Sequence, residues 1–118
     1  MSDQYKILLV EDDALIALEL SERLVDMGYL VLGPARSIGE AEAVLAQHRP
    51  DAALLDANLE GVSSVPLCVQ LVELGVPVAF CTGYDRVKDL PPLLEYVPVL
   101  TKPLDDAALI AGLKRLLT

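Results

Sequence analysis

Four short apolar runs in this chain each end on residues able to do chemistry. Lys6-Ile7-Leu8-Leu9-Val10 leads into Glu11-Asp12-Asp13, and Ala52-Ala53-Leu54-Leu55 into Asp56. Val76-Pro77-Val78-Ala79-Phe80-Cys81 leads into Thr82, and Val97-Pro98-Val99-Leu100-Thr101 into Lys102-Pro103. Amphipathic stretches separate the runs, which is the alternation of a parallel α/β sheet. In such open sheets ligands sit outside the carboxyl ends of the strands, where the strand order reverses. Residues scattered from 11 to 102 can therefore meet in one pocket. That pocket would hold several carboxylates, one hydroxyl and one ammonium, a set that suits a hard divalent cation and a phosphoryl group.

The rest of the chain fits around this frame as one domain over residues 1–118. A first strand is expected at about 5–10 and a first helix at about 13–27, ended by Gly28, with Leu15, Ile16, Leu18, Leu20, Leu24 and Val25 as its buried stripe. A second strand at about 29–33 is stopped by Pro34. Ser37 and Glu40 have the spacing of a capping box for a second helix that runs to about His48. A third strand covers about 51–56, and 57–65 reads as a loop. Pro66 suits the first turn of a helix at about 65–74, ended by Gly75. Strands follow at about 77–81 and 97–101. Between them Gly83, Asp85 and Pro91-Pro92 leave room only for a short or mobile fourth helix. The last helix is expected at about 104–117, with Asp105 and Asp106 at its start and Lys114 and Arg115 at its end, as the helix dipole favours.

Composition removes several functions. A net charge of −9 disfavours nucleic acid and anionic membrane surfaces as partners. No apolar run approaches the roughly 20 residues of a membrane span, and the N-terminus has no signal-peptide pattern, so a cytoplasmic location is expected. His48 is the only histidine, so no His-based zinc site can be assembled, and its place at a helix end argues against the position in the pocket that Ser-His-Asp chemistry would need. Cys68 and Cys81 are too far apart for a redox or metal motif and read as buried thiols.

Glu11, Asp12 and Asp56 would crowd three negative charges, and bare carboxylates that close would force one to keep a proton. Mg2+ relieves the conflict, since it favours carboxylates, waters and phosphate oxygens. Lys102 adds a fixed positive charge, and Thr82 a hydroxyl that can donate to an anionic oxygen. Asp56 follows the central strand between apolar Leu55 and Ala57, the best position for a carboxylate nucleophile that forms an aspartyl phosphate. Asp12 or Asp13 could instead serve only as a helix N-cap.

With these motifs in order, the sequence resembles the response-regulator receiver domain of two-component signalling over essentially its whole length. The resemblance rests on Ile7-Leu8-Leu9-Val10-Glu11-Asp12-Asp13, Leu54-Leu55-Asp56, Thr82 and Lys102-Pro103. It implies a doubly wound, flavodoxin-like (βα)5 fold with strand order 2-1-3-4-5. It implies Asp56 as phosphoacceptor, Asp12 as a direct Mg2+ ligand, Glu11 as a ligand through water and the backbone carbonyl of Asn58 as another. Lys102 would contact the phosphoryl group, and its bond to Pro103 would be cis. Asp13 looks like an accessory acid.

Two departures stand out. Val99 occupies the position, three residues before Lys102, where receivers usually carry an aromatic switch residue. Phe80-Cys81-Thr82-Gly83-Tyr84 is similar to the Phe-Ala-Thr-Gly-hydrophobic-Tyr motif of a stand-alone receiver subgroup, with Cys81 in place of Ala and Asp85 in place of its Tyr. Gly83 would supply backbone freedom to the following loop, and Tyr84 would shield the phosphoryl group or stand in for the missing aromatic. The implied function is a stand-alone switch without an output domain, since the chain stops after its last helix. It would be phosphorylated by a histidine kinase or histidine phosphotransferase and would act on a downstream protein by contact. It would not be an enzyme beyond its own phosphorylation and dephosphorylation. The alternative is a protein-binding module whose phosphorylation is vestigial. A metabolite phosphatase would lack a lid, and a flavin binder would lack a phosphate loop after the first strand.

Overall fold

A computed structural model describes residues 4–83 and 87–118. The elements in order are β1 (Lys6–Val10), α1 (Ala14–Asp26), β2 (Leu30–Ala35), α2 (Ile38–Leu45), β3 (Ala52–Asp56), β4 (Asn58–Leu59), β5 (Val62–Ser63) and α3 (Val65–Glu73). Then come β6 (Val78–Thr82), a 3-10 turn at Pro92–Leu94, β7 (Val99–Thr101) and α4 (Asp106–Leu117). The five-stranded sheet has the order β2-β1-β3-β6-β7, with every pair parallel. Counted within that sheet alone, the order is 2-1-3-4-5. The strand order reverses between β1 and β3, and both strands carry their acids at that end.

Strand periodicity divides the core between the two faces of the sheet. Leu8, Val10, Ala53, Leu55, Val78 and Phe80 point to one side and pack with Ala41 of α2 and Leu67, Cys68 and Leu71 of α3. Ile7, Leu9, Ala52, Leu54, Ala79 and Cys81 point to the other and pack with Leu20 and Leu24 of α1 and Leu109 and Leu113 of α4. Both faces are covered, which is why these strands read as unbroken apolar runs. Cys68 and Cys81 are buried free thiols. Among the described residues no helix is long and apolar enough to cross a membrane.

The structure corrects several boundaries. β2 does not stop at Pro34 but continues to Ala35, with a cis Gly33–Pro34 bond and Gly33 at φ +102°. An edge strand tolerates proline because the missing amide faces away from the neighbouring strand. The pairing of β2 with β1 is irregular between Leu8 and Val10, where the strand bends around this dipeptide. α1 buries Ala17, Leu20 and Leu24, whereas Leu15, Leu18 and Val25 are 79%, 56% and 58% exposed. At 100° per residue those three lie across the helix from the buried face, so the expected stripe mixed two sides. α2 ends at Leu45, short of His48, which is exposed. Ser37 caps it through the Glu40 amide, while the Glu40 carboxylate takes the amide of Arg36 rather than that of Ser37. The stretch expected as a loop holds the small antiparallel hairpin of β4 and β5. Between β6 and the last strand the helical element among the described residues is the 3-10 turn, whose Leu94 is fully buried.

Candidate functional site

The acids gather because β1 and β3 are neighbours in register, Val10 beside Leu55, so Glu11 and Asp56 emerge side by side. Carboxylate oxygens of Glu11, Asp12 and Asp56 all lie within 4.8 Å of one another. That spacing fits a single small cation with three carboxylates around it. Glu11 is almost completely buried, and Asp12 and Asp56 are partly exposed.

Lys102 enters from β7 and closes the cluster. Its Nζ donates to Asp56 Oδ2 at 3.0 Å and also to Glu11 Oε1. Register carries it there: β6 pairs Thr82 with Thr101, and the Lys102 amide donates to the Thr82 carbonyl at 2.7 Å. Thr82 is buried at the end of β6, one residue beyond Cys81, the register partner of Asp56. The Lys102–Pro103 bond is cis.

Three of the other carboxylate oxygens are held by backbone amides. Asp56 Oδ1 accepts from the Asn58 amide at 3.1 Å, and Glu11 Oε2 from the Asp13 amide at 3.1 Å. Asp12 Oδ2 accepts from the Glu60 amide at 2.8 Å, which ties the β4–β5 hairpin across the pocket. The Asn58 side chain takes the Gly61 amide at 2.7 Å, and Glu60 and Gly61 both have positive φ, so the hairpin tip is shaped by Asn58.

Electrostatics mark the site as short of positive charge. Burial raises the Glu11 carboxyl to about 7, partly opposed by the Lys102 hydrogen bond and supported by the neighbouring acids. Burial works to lower the Lys102 pKa, but its bonds to Glu11 and Asp56 outweigh that and hold it above its ordinary value. Burial pushes the Cys81 thiol up to about 12, which makes it inert beside the site.

Asp13 stands apart from the cluster. It is the N-cap of α1, accepting from the amides of Leu15 and Ile16 at 3.0 and 3.1 Å. Val99 is half-buried on the α3 side of the sheet, packed among the residues that include Leu94. At Gly83 an added Cβ would meet nothing within 4 Å. Tyr84 and Asp85 lie outside the described residues.

Sequence reasoning missed three neighbours. Ser64, fully buried, donates its hydroxyl to the Asp56 carbonyl at 2.6 Å and fixes the main chain of Asp56. Arg36 donates to the Asp12 carbonyl at 3.3 Å. Arg23 reaches the Leu104 carbonyl at 2.9 Å. Ser64 alone left a signal, a serine just before a helix; the two arginines act at long range.

Comparison with known proteins agrees with this geometry. The model of the response regulator receiver domain matches residues 7–114. The chain is 35% identical over 123 residues to the transcriptional regulatory protein CseB of Streptomyces coelicolor, covering 99% of this chain and 51% of that one. It is 34% identical over 112 residues to the positive alginate biosynthesis regulatory protein of Pseudomonas aeruginosa, covering 91% and 45%. The chain thus spans about half the length of these relatives. Among solved structures it matches SdrG from Sphingomonas melonis with a TM-score of 0.82 and 32% identity over all of both chains. It matches the receiver domain of PhyR from Erythrobacter litoralis with a TM-score of 0.84 and 26% identity, covering 97% and 90%. The order of strands, the acid cluster at their carboxyl ends and these likenesses agree that the chain belongs to the response regulator receiver domain family.

Proposed function

We propose that this receiver is a phosphoacceptor switch in which Asp56 takes a phosphoryl group from a phosphohistidine of a histidine kinase or histidine phosphotransferase. The observation that carries the reading is Lys102 Nζ held between Glu11 and Asp56, on the edge of a carboxylate cluster of metal-binding spacing. One carboxylate oxygen of Asp56 attacks phosphorus in line. An O–P bond forms as the N–P bond of the donor breaks, and the imidazole leaves with the electron pair and takes up a proton from water. Lys102 and the Thr82 hydroxyl meet the negative charge on the phosphoryl oxygens. The Asn58 amide and the Ser64 hydroxyl orient Asp56 throughout.

Asp12 and Asp56, with the Asn58 carbonyl and with Glu11 through water, would hold the Mg2+ that the cluster fits. Bound Mg2+ supplies neutralising charge to the carboxylates and the phosphoryl group. Asp13 serves this set as the helix cap behind it, not as a ligand.

Output runs through protein contact. Val99 removes the usual aromatic switch, so the signal passes from Thr82 through Gly83 into the segment up to 95, which packs Val87, Leu90 and Leu94 on the core beside Val99. Two likenesses support this. SdrG from Pseudomonas melonis, 32% identical, has a BeF3-activated conformation. PhyR from Bartonella quintana, 25% identical, is an anti-anti-sigma factor.

The test is intact-mass spectrometry after incubation with Mg2+ and a small acyl phosphate. One added phosphoryl group is expected, absent without Mg2+ and absent in Asp56→Asn. No adduct, with Mg2+ binding confirmed and a dead time shorter than adduct decay, would instead favour a binding module with vestigial phosphorylation. Backbone NMR with a phosphoryl mimic tests the output path: unchanged signals over 87–95 would sink it.

A further inference from the structure

We propose that Arg23 of α1 is a positioning residue for Lys102, acting through the backbone that joins β7 to α4. The inference rests on the phosphoacceptor reading above.

Lys102 stands where the chain leaves the sheet. β7 is three residues long, lies at the sheet edge and pairs only with β6. The Lys102 amide on the Thr82 carbonyl is its last sheet contact. The next regular element begins at Asp106, capped by Asp105, whose Oδ1 takes the Ala108 amide at 2.7 Å. Between these anchors Pro103 has no amide to donate. A groove of about 320 Å³ runs along this stretch, with Ile16, Leu20 and Arg23 on one wall and Lys102, Pro103 and Leu104 on the other. Leu104 still packs against the core on this face of the sheet, so the groove leaves the segment only partly backed on its α1 side, at Lys102 and Pro103.

Arg23 bridges the groove. Nη2 donates to the Leu104 carbonyl at 2.9 Å, two residues beyond Lys102. The same guanidinium meets Asp106 Oδ1 through Nε at 2.9 Å and Nη2 at 2.8 Å, and Glu19 Oε1 through Nη1 at 3.2 Å. One rigid fork thus joins α1, the connecting segment and the first residue of α4. The Asp106 and Glu19 side chains are 70% and 69% exposed, so these ion pairs add little to stability. What they supply is geometry. They aim the guanidinium at the Leu104 carbonyl, and that contact fixes the backbone from which Lys102 reaches Asp56. The acids themselves stand on β1 and β3 and do not depend on Arg23.

The consequence is a separation of effects. Loss of Arg23 loosens the Lys102 ammonium while leaving the cation-binding acids and the fold in place. Misplacement of a charge-stabilising group by about 1 Å costs up to ~100-fold in rate. A tether two residues away should cost less, about tenfold.

The experiment measures phosphorylation by an acyl phosphate across donor concentration in Arg23→Gln, Arg23→Lys and Asp106→Asn, beside Mg2+ affinity and thermal midpoint. Arg23→Gln should lower the maximal rate about tenfold, with Mg2+ affinity within about twofold of the parent. Arg23→Lys should recover part of the rate, because an ammonium can still reach the Leu104 carbonyl. Asp106→Asn, on the surface, should cost about twofold to threefold and keeps the test open if Arg23→Gln fails to fold. Unchanged rates in the folded variants would overturn the proposal. So would parallel losses of rate, Mg2+ affinity and thermal midpoint, which would mark Arg23 as a structural tie only. If the parent chain itself takes no phosphoryl group, the phosphoacceptor reading fails. The positioning claim is then read from the Lys102 side-chain NMR signals, which should shift or broaden in Arg23→Gln. Identical signals would overturn it.

Discussion

The two halves of the pocket are built on unequal supports. β1 and β3 each have strand neighbours on both sides, and Ile7 to Val10 and Ala52 to Leu55 are essentially inaccessible to water. They carry Glu11, Asp12 and Asp56. β7 has one neighbour and three residues, with Val99 and Leu100 half-buried and Thr101 exposed, and it delivers Lys102. The side of the sheet flanking it holds a 3-10 turn where a full helix would otherwise cover the edge. The negative charges are thus set in the rigid centre, and the compensating cation stands on the thinner margin. Were the charge at Asp56 to change, the part free to answer would be the margin. Local stability is lowest where buried apolar contacts are fewest, and moving elements come from that end.

The sharpest way to break this contrast is to truncate a leucine on each strand. Leu54→Ala removes a fully buried side chain from β3 and should cost about 2–5 kcal/mol in denaturant unfolding. Leu100→Ala on β7 should cost under about 2 kcal/mol, because the site is half open and can relax. Equal losses would mean that β7 is as firmly built as the centre.

The second test removes the cation. Lys102→Met should slow phosphorylation by about 100-fold, the scale seen when one charge-stabilising donor is lost. Mg2+ affinity should hold or rise, since Glu11 and Asp56, two of the three clustered carboxylates, lose their competing ammonium. A fall in both would show that Lys102 shapes the acid cluster as well as the reaction.

A third test reads the centre by pH. The Glu11 carboxyl is raised from 4.5 to about 7 in the folded state, so between those values the folded chain keeps a proton that the unfolded chain releases. The stabilisation is present in full below the unfolded value and is lost as pH rises through about 7. Without Mg2+, this group makes the chain less stable at about pH 8 than at about pH 5. Mg2+ favours the ionised form, so its affinity should climb about tenfold from roughly pH 6 to roughly pH 8. Glu11→Gln should flatten that climb. A flat profile in the parent would mean that Glu11 is ionised throughout.

How much of this could be read from sequence follows the same division. The centre was legible, because Ile7 to Val10 and Ala52 to Leu55 are continuous apolar runs that end on acids, a purely local pattern. The position of Lys102 was legible for the same reason. The strand through Pro34 was not, since only the sheet order makes β2 an edge where proline is tolerated. Nor was the buried face of α1, where apolar residues lie on both sides and the sheet chooses Ala17, Leu20 and Leu24. The hairpin after Asp56 stayed hidden because it depends on the Asn58 side chain capping Gly61 and on the Asp12 carboxylate holding the Glu60 amide. Contacts of that kind join residues far apart in the chain and leave no periodicity.

The smallest expected effect separates a helix cap from a metal ligand. Asp13 sits in an acidic triplet, and sequence alone leaves it open to either role. Its Oδ1 takes the amides of Leu15 and Ile16, which lack helical partners at the start of α1. Its own amide supports Glu11, and that bond survives any change of side chain. Asp13→Ala should therefore cost about 1 kcal/mol of stability, the ordinary loss for a removed N-cap. Asp13→Asn, which keeps an accepting oxygen, should cost only a few tenths of that. Mg2+ affinity should stay within about twofold in both, since a removed charge outside the coordination shell is partly screened by solvent. A tenfold loss of affinity in Asp13→Asn, with stability intact, would move Asp13 from the helix into the metal site and would widen the rigid centre to all three acids of the triplet.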